Sequence, residues 1–165
     1  MAPVTARLSA IAVVAVIVFI RVMAVPVAAE GRGVGGVERF EVATLEIRTR
    51  TGSHRFTVEL ARTARQHARG LMFRRRLAPD TGMLFLYRTS QPVTMWMKNT
   101  FIPLDMLFVV ADGRIVRIAQ RTVPHSVQTI SSGGPVTAVI EVNGGTAERL
   151  GIRTGDRIVH PALAP

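Results

Sequence analysis

The sequence predicts a mainly β domain, a compact sandwich or barrel with two short helices, and three observations carry that prediction. From residue 40 onward, short apolar segments recur between turns built on Gly, Pro, Asp and Ser. Within them apolar and polar residues alternate, as Phe56, Val58 and Leu60 do with Thr57 and Glu59, which is the period of a half-buried strand. Only two stretches carry helix-start or helix-stop signals. A hydrophobic share of 48% over 165 residues is ample for one core.

Taken in order, residues 1–29 read as a secretory signal peptide. Arg7 stands without a neighbouring acid, 8–20 is almost wholly apolar, and small residues at 27–29 precede Glu30. Cleavage is expected after Ala29; an uncleaved anchor would need the apolar run to pass through Arg21 to reach the roughly 20 residues of a bilayer span. Residues 30–39 form a Gly-rich spacer. The run Gly31-Arg32-Gly33-Val34-Gly35-Gly36 matches GxGxxG, but no strand precedes it and no crossover helix follows, so it is not a dinucleotide site.

Residues 40–165 are expected to be a single β domain. Segments 40–49 and 54–60 flank Thr51-Gly52-Ser53 as a hairpin. Thr63 and Gln66 make a capping box and Gly70 a C-terminal stop, which predicts a helix over 64–69 with Leu71 and Met72 packing after it. Arg74-Arg75-Arg76 is a solvated basic triplet, whose functional reading is docking on an anionic envelope component. Strands follow at 83–87, 93–98, 106–110 and 115–120, the first closed by 88–92 and the last two joined at Asp112-Gly113. Residues 121–135 read as a long connection and 136–142 as a buried strand. A second short helix spans 146–150, stopped by Gly151, and 157–160 is the final strand.

Charge and cysteine usage narrow the function classes. The net charge is +10, and loss of Arg7 and Arg21 with the leader lowers it to +8. Such a balance favours anionic partners or surfaces, and for an exported chain it points to cell-envelope polyanions, or to solubility alone, rather than to nucleic acid. There is no Cys, so disulfides, thiolate nucleophiles and zinc–thiolate sites are excluded. His54, His67, His125 and His160 are dispersed without two-His helical spacing, and neither a metal nor a cofactor is expected. His125 beside Ser126 is not a nucleophile pair, because adjacent loop side chains do not reproduce the geometry of a sharp nucleophile elbow served by a distant His.

The stretch from Met95 to Asp105 holds the only Trp, the only Lys and one of two Asn residues in a chain otherwise charged by Arg. An ammonium differs from a guanidinium in size and hydration, so a lone Lys marks the position. In an extended strand Trp96 and Lys98 share a face while Met95 and Met97 share the other. Trp96, Lys98, Asn99 and Asp105, with Arg69 and Glu141 as charged neighbours, are therefore the candidate ligand-binding residues for a polar, anionic or sugar-like molecule. The structural alternative places Trp96 in the core and pairs Lys98 with Asp105. Both Asp105 and Glu141 adjoin or interrupt apolar strands, so each should be paired, protonated or at the rim: either in a structural ion pair, with Arg69, Lys98 and Arg117 available, or with the other as an acid/base pair.

Arg69-Gly70-Leu71-Met72, Gly82-Met83-Leu84-Phe85, Trp96-Met97-Lys98-Asn99-Thr100, Pro103-Leu104-Asp105 and Gly151-Ile152 with Gly155-Asp156 occur in one order. On these motifs the chain resembles the domain of unknown function 192 family over about residues 56–159. The resemblance implies a β fold of jelly-roll type, often exported, without a settled activity. It departs from part of the family at Pro124-His125-Ser126, where relatives can carry Cys. The expected function is thus an exported, periplasmic or secreted, monomeric module binding a polar ligand or envelope component near Trp96. The alternatives are a carbohydrate-directed hydrolase using Asp105 and Glu141, and a structural or assembly factor of the envelope, with the membrane met only through an uncleaved leader.

Overall fold

The computed structural model describes residues 38–163; the expected leader and nearly all of the spacer lie outside them. Seven strands form one mixed sheet in the order β5-β4-β6-β3-β2-β1-β7. The chain order is β1 (Glu41–Thr49), β2 (Gly52–Ala61), α1 (Ala64–Arg69), β3 (Thr81–Met95), β4 (Leu104–Val109), β5 (Ile115–Ala119), β6 (Ile130–Asn143), α2 (Thr146–Leu150) and β7 (Arg157–Val159). A short 3-10 turn, Pro161–Leu163, closes the described chain.

The mainly β expectation holds, and both helices fall on their predicted residues. α1 begins where Thr63 Oγ1 accepts from the Gln66 N–H at 3.1 Å while the Gln66 side chain accepts from the Thr63 N–H at 3.1 Å. This reciprocal cap satisfies two donors that a six-residue helix otherwise leaves open. Because α1 and the loop after it connect β2 to β3, those strands run parallel, the one parallel pair in the ladder. The ladder is a single curled sheet. The jelly-roll arrangement implied by the resemblance finds no second sheet among the described residues.

Curling brings the two ends of the sheet together. The Ile158 N–H donates to the Gly113 carbonyl at 2.7 Å and the Ile115 N–H to the Asp156 carbonyl at 2.8 Å, so the β4–β5 turn is laced to β7. Inside the curl, every strand contributes to one core, including Leu45, Phe56, Leu84, Leu107, Ile115, Ile140 and Ile158. On the outer face a second core gathers Met83, Phe85, Met106, Phe108 and Val139 beneath Leu71 and Met97. A sheet buried on both faces explains why the central strands read as continuous apolar runs.

Two boundaries differ from expectation. Segments 83–87 and 93–98 were expected as separate strands, but β3 runs unbroken from Thr81 to Met95 with register shifts between Leu86 and Gln91 and between Pro92 and Thr94. Pro92 has no N–H for the ladder, and the bulge it sits in is repaired from the side: buried Ser132 Oγ accepts from the Val93 N–H at 2.9 Å and donates to the Gly134 carbonyl at 2.6 Å. The same pairing turns residues 130–135, expected as part of a long connection, into the start of β6. Both bulges bend the end of β3 over the outer core, which places Met95 and Trp96 above it.

Candidate functional site

Beneath that bend lies a cavity of about 290 Å³. The α1 side supplies His67, Arg69, Leu71 and Met72, the β3 side supplies Phe85, Tyr87, Met95 and Trp96, and β6 supplies Glu141. Its walls are aromatic: the His67 ring centroid lies 4.8 Å from that of Tyr87 and 5.9 Å from that of Phe85. His67 is held in place by a 3.0 Å hydrogen bond between Nε2 and the Ala61 carbonyl, and the Tyr87 hydroxyl points at Met95 Sδ, 3.7 Å away. At about 290 Å³ the volume stands just below the usual range of ligand clefts, roughly 300–1,000 Å³.

Charge divides between the mouth and the base. Trp96 is 47% exposed at the rim, with Lys98 Nζ 5.3 Å from its ring centroid. Arg69, which lines the cavity, sets its guanidinium 4.7 Å from the Phe73 ring. Arg69 thus belongs to the cavity wall, while Lys98 is held on the ring of the rim residue Trp96 without lining the cavity itself. At the other end Glu141 is only 4% exposed, and its side chain has neither a hydrogen bond nor an ion pair among the described residues. Burial pushes its carboxyl up to about 8. Tyr87 is raised to about 12, first by burial and then by the charge of Glu141.

The six residues singled out from sequence separate into three groups. Trp96, Arg69 and Glu141 line one cavity, with Lys98 over the Trp96 ring. Asn99 takes the left-handed conformation at φ 56°, which Asn tolerates better than most residues, and its carbonyl accepts from the Phe73 N–H at 2.8 Å. Its amide nitrogen lies 4.0 Å from Met72 Sδ, so it braces the wall and does not face the cavity interior. Asp105 is fully buried elsewhere: its carboxylate accepts from the Arg121, Gly145 and Ala147 N–H groups at 2.7, 3.0 and 2.8 Å. It caps α2, whose own first turn has no side-chain cap.

Two expectations are therefore corrected. Lys98 and Asp105 form no ion pair, because three backbone donors already satisfy that carboxylate. Nor do Asp105 and Glu141 make an acid/base pair. Glu141 stands opposite Met106 in the ladder and shares its face, while Asp105, the preceding residue of β4, shares the face of Leu107 and Val109. The two carboxyl groups project to opposite sides of the sheet. None of the three cations expected as partners, Arg69, Lys98 or Arg117, pairs with Glu141 among the described residues.

Sequence reasoning missed His67, Phe85 and Tyr87 as cavity walls. Phe85 and Tyr87 were embedded in an apolar run whose two faces are both buried, so alternation gave no sign that one face opens onto a cavity. No cluster of three or more metal-ligating side chains occurs among the described residues.

Comparison with known proteins places this architecture. The family model of the domain of unknown function 192, described as an uncharacterized ACR, matches residues 46–160. A crystal structure of a proposed transcription regulator from Sinorhizobium meliloti is similar at 46% identity and a TM-score of 0.75, the match covering 77% of this chain and 99% of that one. A protein of unknown function from Novosphingobium aromaticivorans is similar at 42% identity and a TM-score of 0.73, covering 75% of this chain and 89% of that one. No curated protein matches.

Proposed function

This chain belongs to the domain of unknown function 192 family, and we propose that it acts there by binding a small polar or anionic organic molecule in the cavity under Trp96. The observation that supports this most is the aromatic cavity lined by Arg69, with Lys98 held on the ring of its rim residue Trp96. An anionic group of the ligand meets the two cations, and its body stacks on Trp96 and Tyr87. Leu71, Phe85, Val93 and Glu141 in the walls are buried, His67, Met72, Tyr87 and Met95 are half-buried, and the Asn99 turn braces them, so little ordering cost falls on that part of the site.

The setting follows from the sequence. We place the mature protein in the periplasm or outside the cell, exported by residues 1–29, and working as a monomer. Fractionation with intact-mass measurement tests this: a cytoplasmic chain retaining its first 29 residues contradicts it. Transcription regulation, the role proposed for the Sinorhizobium meliloti protein, finds less support, since the two α-helices among the described residues, of six and five residues, are too short to serve as groove-reading helices. A two-carboxylate hydrolase loses its rationale once Asp105 and Glu141 face apart.

Thermal denaturation of the purified chain against a panel of small carboxylates, phosphates, amino acids and monosaccharides tests the binding reading. At least one class should raise Tm in a concentration-dependent manner, and Trp96→Ala should abolish the rise while leaving the unliganded Tm within a few degrees. A panel without effect, or a rise that Trp96→Ala leaves untouched, refutes the site.

A further inference from the structure

Glu141 is the unusual group in this molecule. Its carboxyl sits nine-tenths buried or more at the base of the cavity, without a partner among the described residues, while the other buried acids are satisfied: Asp105 by three backbone amides and Asp156 by the Arg153 N–H at 2.7 Å. The carboxyl lies on the cavity wall with no protein partner, so a donor or cation on a ligand can meet it there. The surroundings select which group. Phe85, Tyr87 and Trp96 line the same space, and aromatic rings are favourable neighbours for a cation. Met83 and Met106, the ladder neighbours of Glu141, add no charge.

Resting on the binding reading above, we infer that the ligand is a zwitterion, with a primary ammonium seated at Glu141 among the aromatic walls and a carboxylate or similar anion at Arg69 and Lys98. A simple amine would meet the cations Arg69 and Lys98, and a simple acid would bring Glu141 no opposite charge; a molecule with opposite charges at its two ends meets both. The other titratable or charged groups facing this space are His67 and Arg69 from α1 and Tyr87 from β3.

The inference has a pH signature. Because burial holds the Glu141 carboxyl near about 8, seating an ammonium there expels its proton below that pH. Apparent affinity scales with the ionised fraction, about 1% at pH 6 and about one half at pH 8, so binding should tighten about 50-fold between them. A ligand that instead accepts a hydrogen bond from the protonated carboxyl weakens over the same interval.

Calorimetric titration of the full chain with 6-aminohexanoate, hexanoate and hexylamine at pH 6 and pH 8 tests this. The expected result is that 6-aminohexanoate binds at least tenfold tighter than either single-ended analogue, tightens about 50-fold toward pH 8 in the wild type, and loses that dependence in Glu141→Gln. The variant isolates Glu141 from His67, which stays in place. Hexanoate binding as tightly, affinity falling with pH, or an unchanged slope in Glu141→Gln overturns the ammonium assignment while leaving the cavity as a binding site. If none of the three binds, the zwitterion class falls, and the wider panel with Trp96→Ala decides separately whether the cavity binds anything.

Discussion

Replacing Glu141 by Gln should make the protein more stable in alkaline solution, and by an amount that depends on pH in a defined way. In the folded chain the carboxyl titrates near about 8, against an ordinary value of 4.5, because burial disfavours its charge. Between those values the folded protein retains a proton that the unfolded chain has released. Stability is therefore complete below the unfolded value, falls as pH rises through the window, and levels off above the folded value. Each pH unit of that window is worth about 1.4 kcal/mol, so the full span amounts to at most about 5 kcal/mol, and water entering the cavity brings the expected loss to about 2–5 kcal/mol. Gln has the same shape and does not titrate. Urea denaturation followed by circular dichroism, run on both proteins from pH 4.5 to pH 9, measures the difference in ΔG at each pH; all other titrating groups cancel to first order. The variant should gain on the wild type steadily up to about pH 8 and hold that gain above it. Parallel stability curves would show that Glu141 is ionised and solvated throughout, and would remove the desolvated carboxyl from the site.

Three further substitutions test the scaffold. Asp105→Asn replaces an acceptor of three backbone N–H bonds with a group that has two donors of its own, and should cost about 2–4 kcal/mol in urea denaturation; a loss under about 1 kcal/mol contradicts its capping role. Thr63→Ala removes half of the capping box on α1 and should cost about 1 kcal/mol, a fall of about 3–5 °C in Tm, together with weaker ligand-induced stabilisation because α1 walls the cavity. Gly113→Ala places a Cβ against the Ile158 carbonyl at a φ of 82°, where L side chains are strained. It should lower Tm and speed hydrogen exchange at the Ile158 amide, and unchanged exchange would mean that the lacing between the β4–β5 turn and β7 does not hold the curl.

What the sequence disclosed was local. The α1 capping box, the Gly151 stop and the Asp112-Gly113 hairpin each depend on residues within a few positions of one another, and each was placed correctly. The errors were non-local. Pro92 has the properties of a strand breaker, and β3 continues through it only because Ser132, 39 residues from Val93, supplies the missing pairing. The parallel register of β2 and β3 likewise belongs to neither strand alone.

Asp105 and Glu141 show the same limit at the site. Each is one acid set in or beside an apolar strand, and by residue type the two are equivalent: an acid in such a frame states that a desolvation cost exists. Chain order cannot say what offsets it. For Asp105 the offset arrives from 40 and 42 residues downstream, where Gly145 and Ala147 turn their amides toward it, and the carboxylate becomes a fixed part of the α2 cap. For Glu141 the neighbours across the ladder are two methionines, and the bend of β3 at Pro92 keeps the space beside it open instead of filling it. Glu141, without a protein partner among the described residues, thus faces the cavity under Trp96, where Arg69 lines the wall and Lys98 sits on the Trp96 ring, and neither cation pairs with it. A sealed core at position 141 would favour an apolar side chain, so an acid there carries a desolvation cost that no protein group among the described residues offsets.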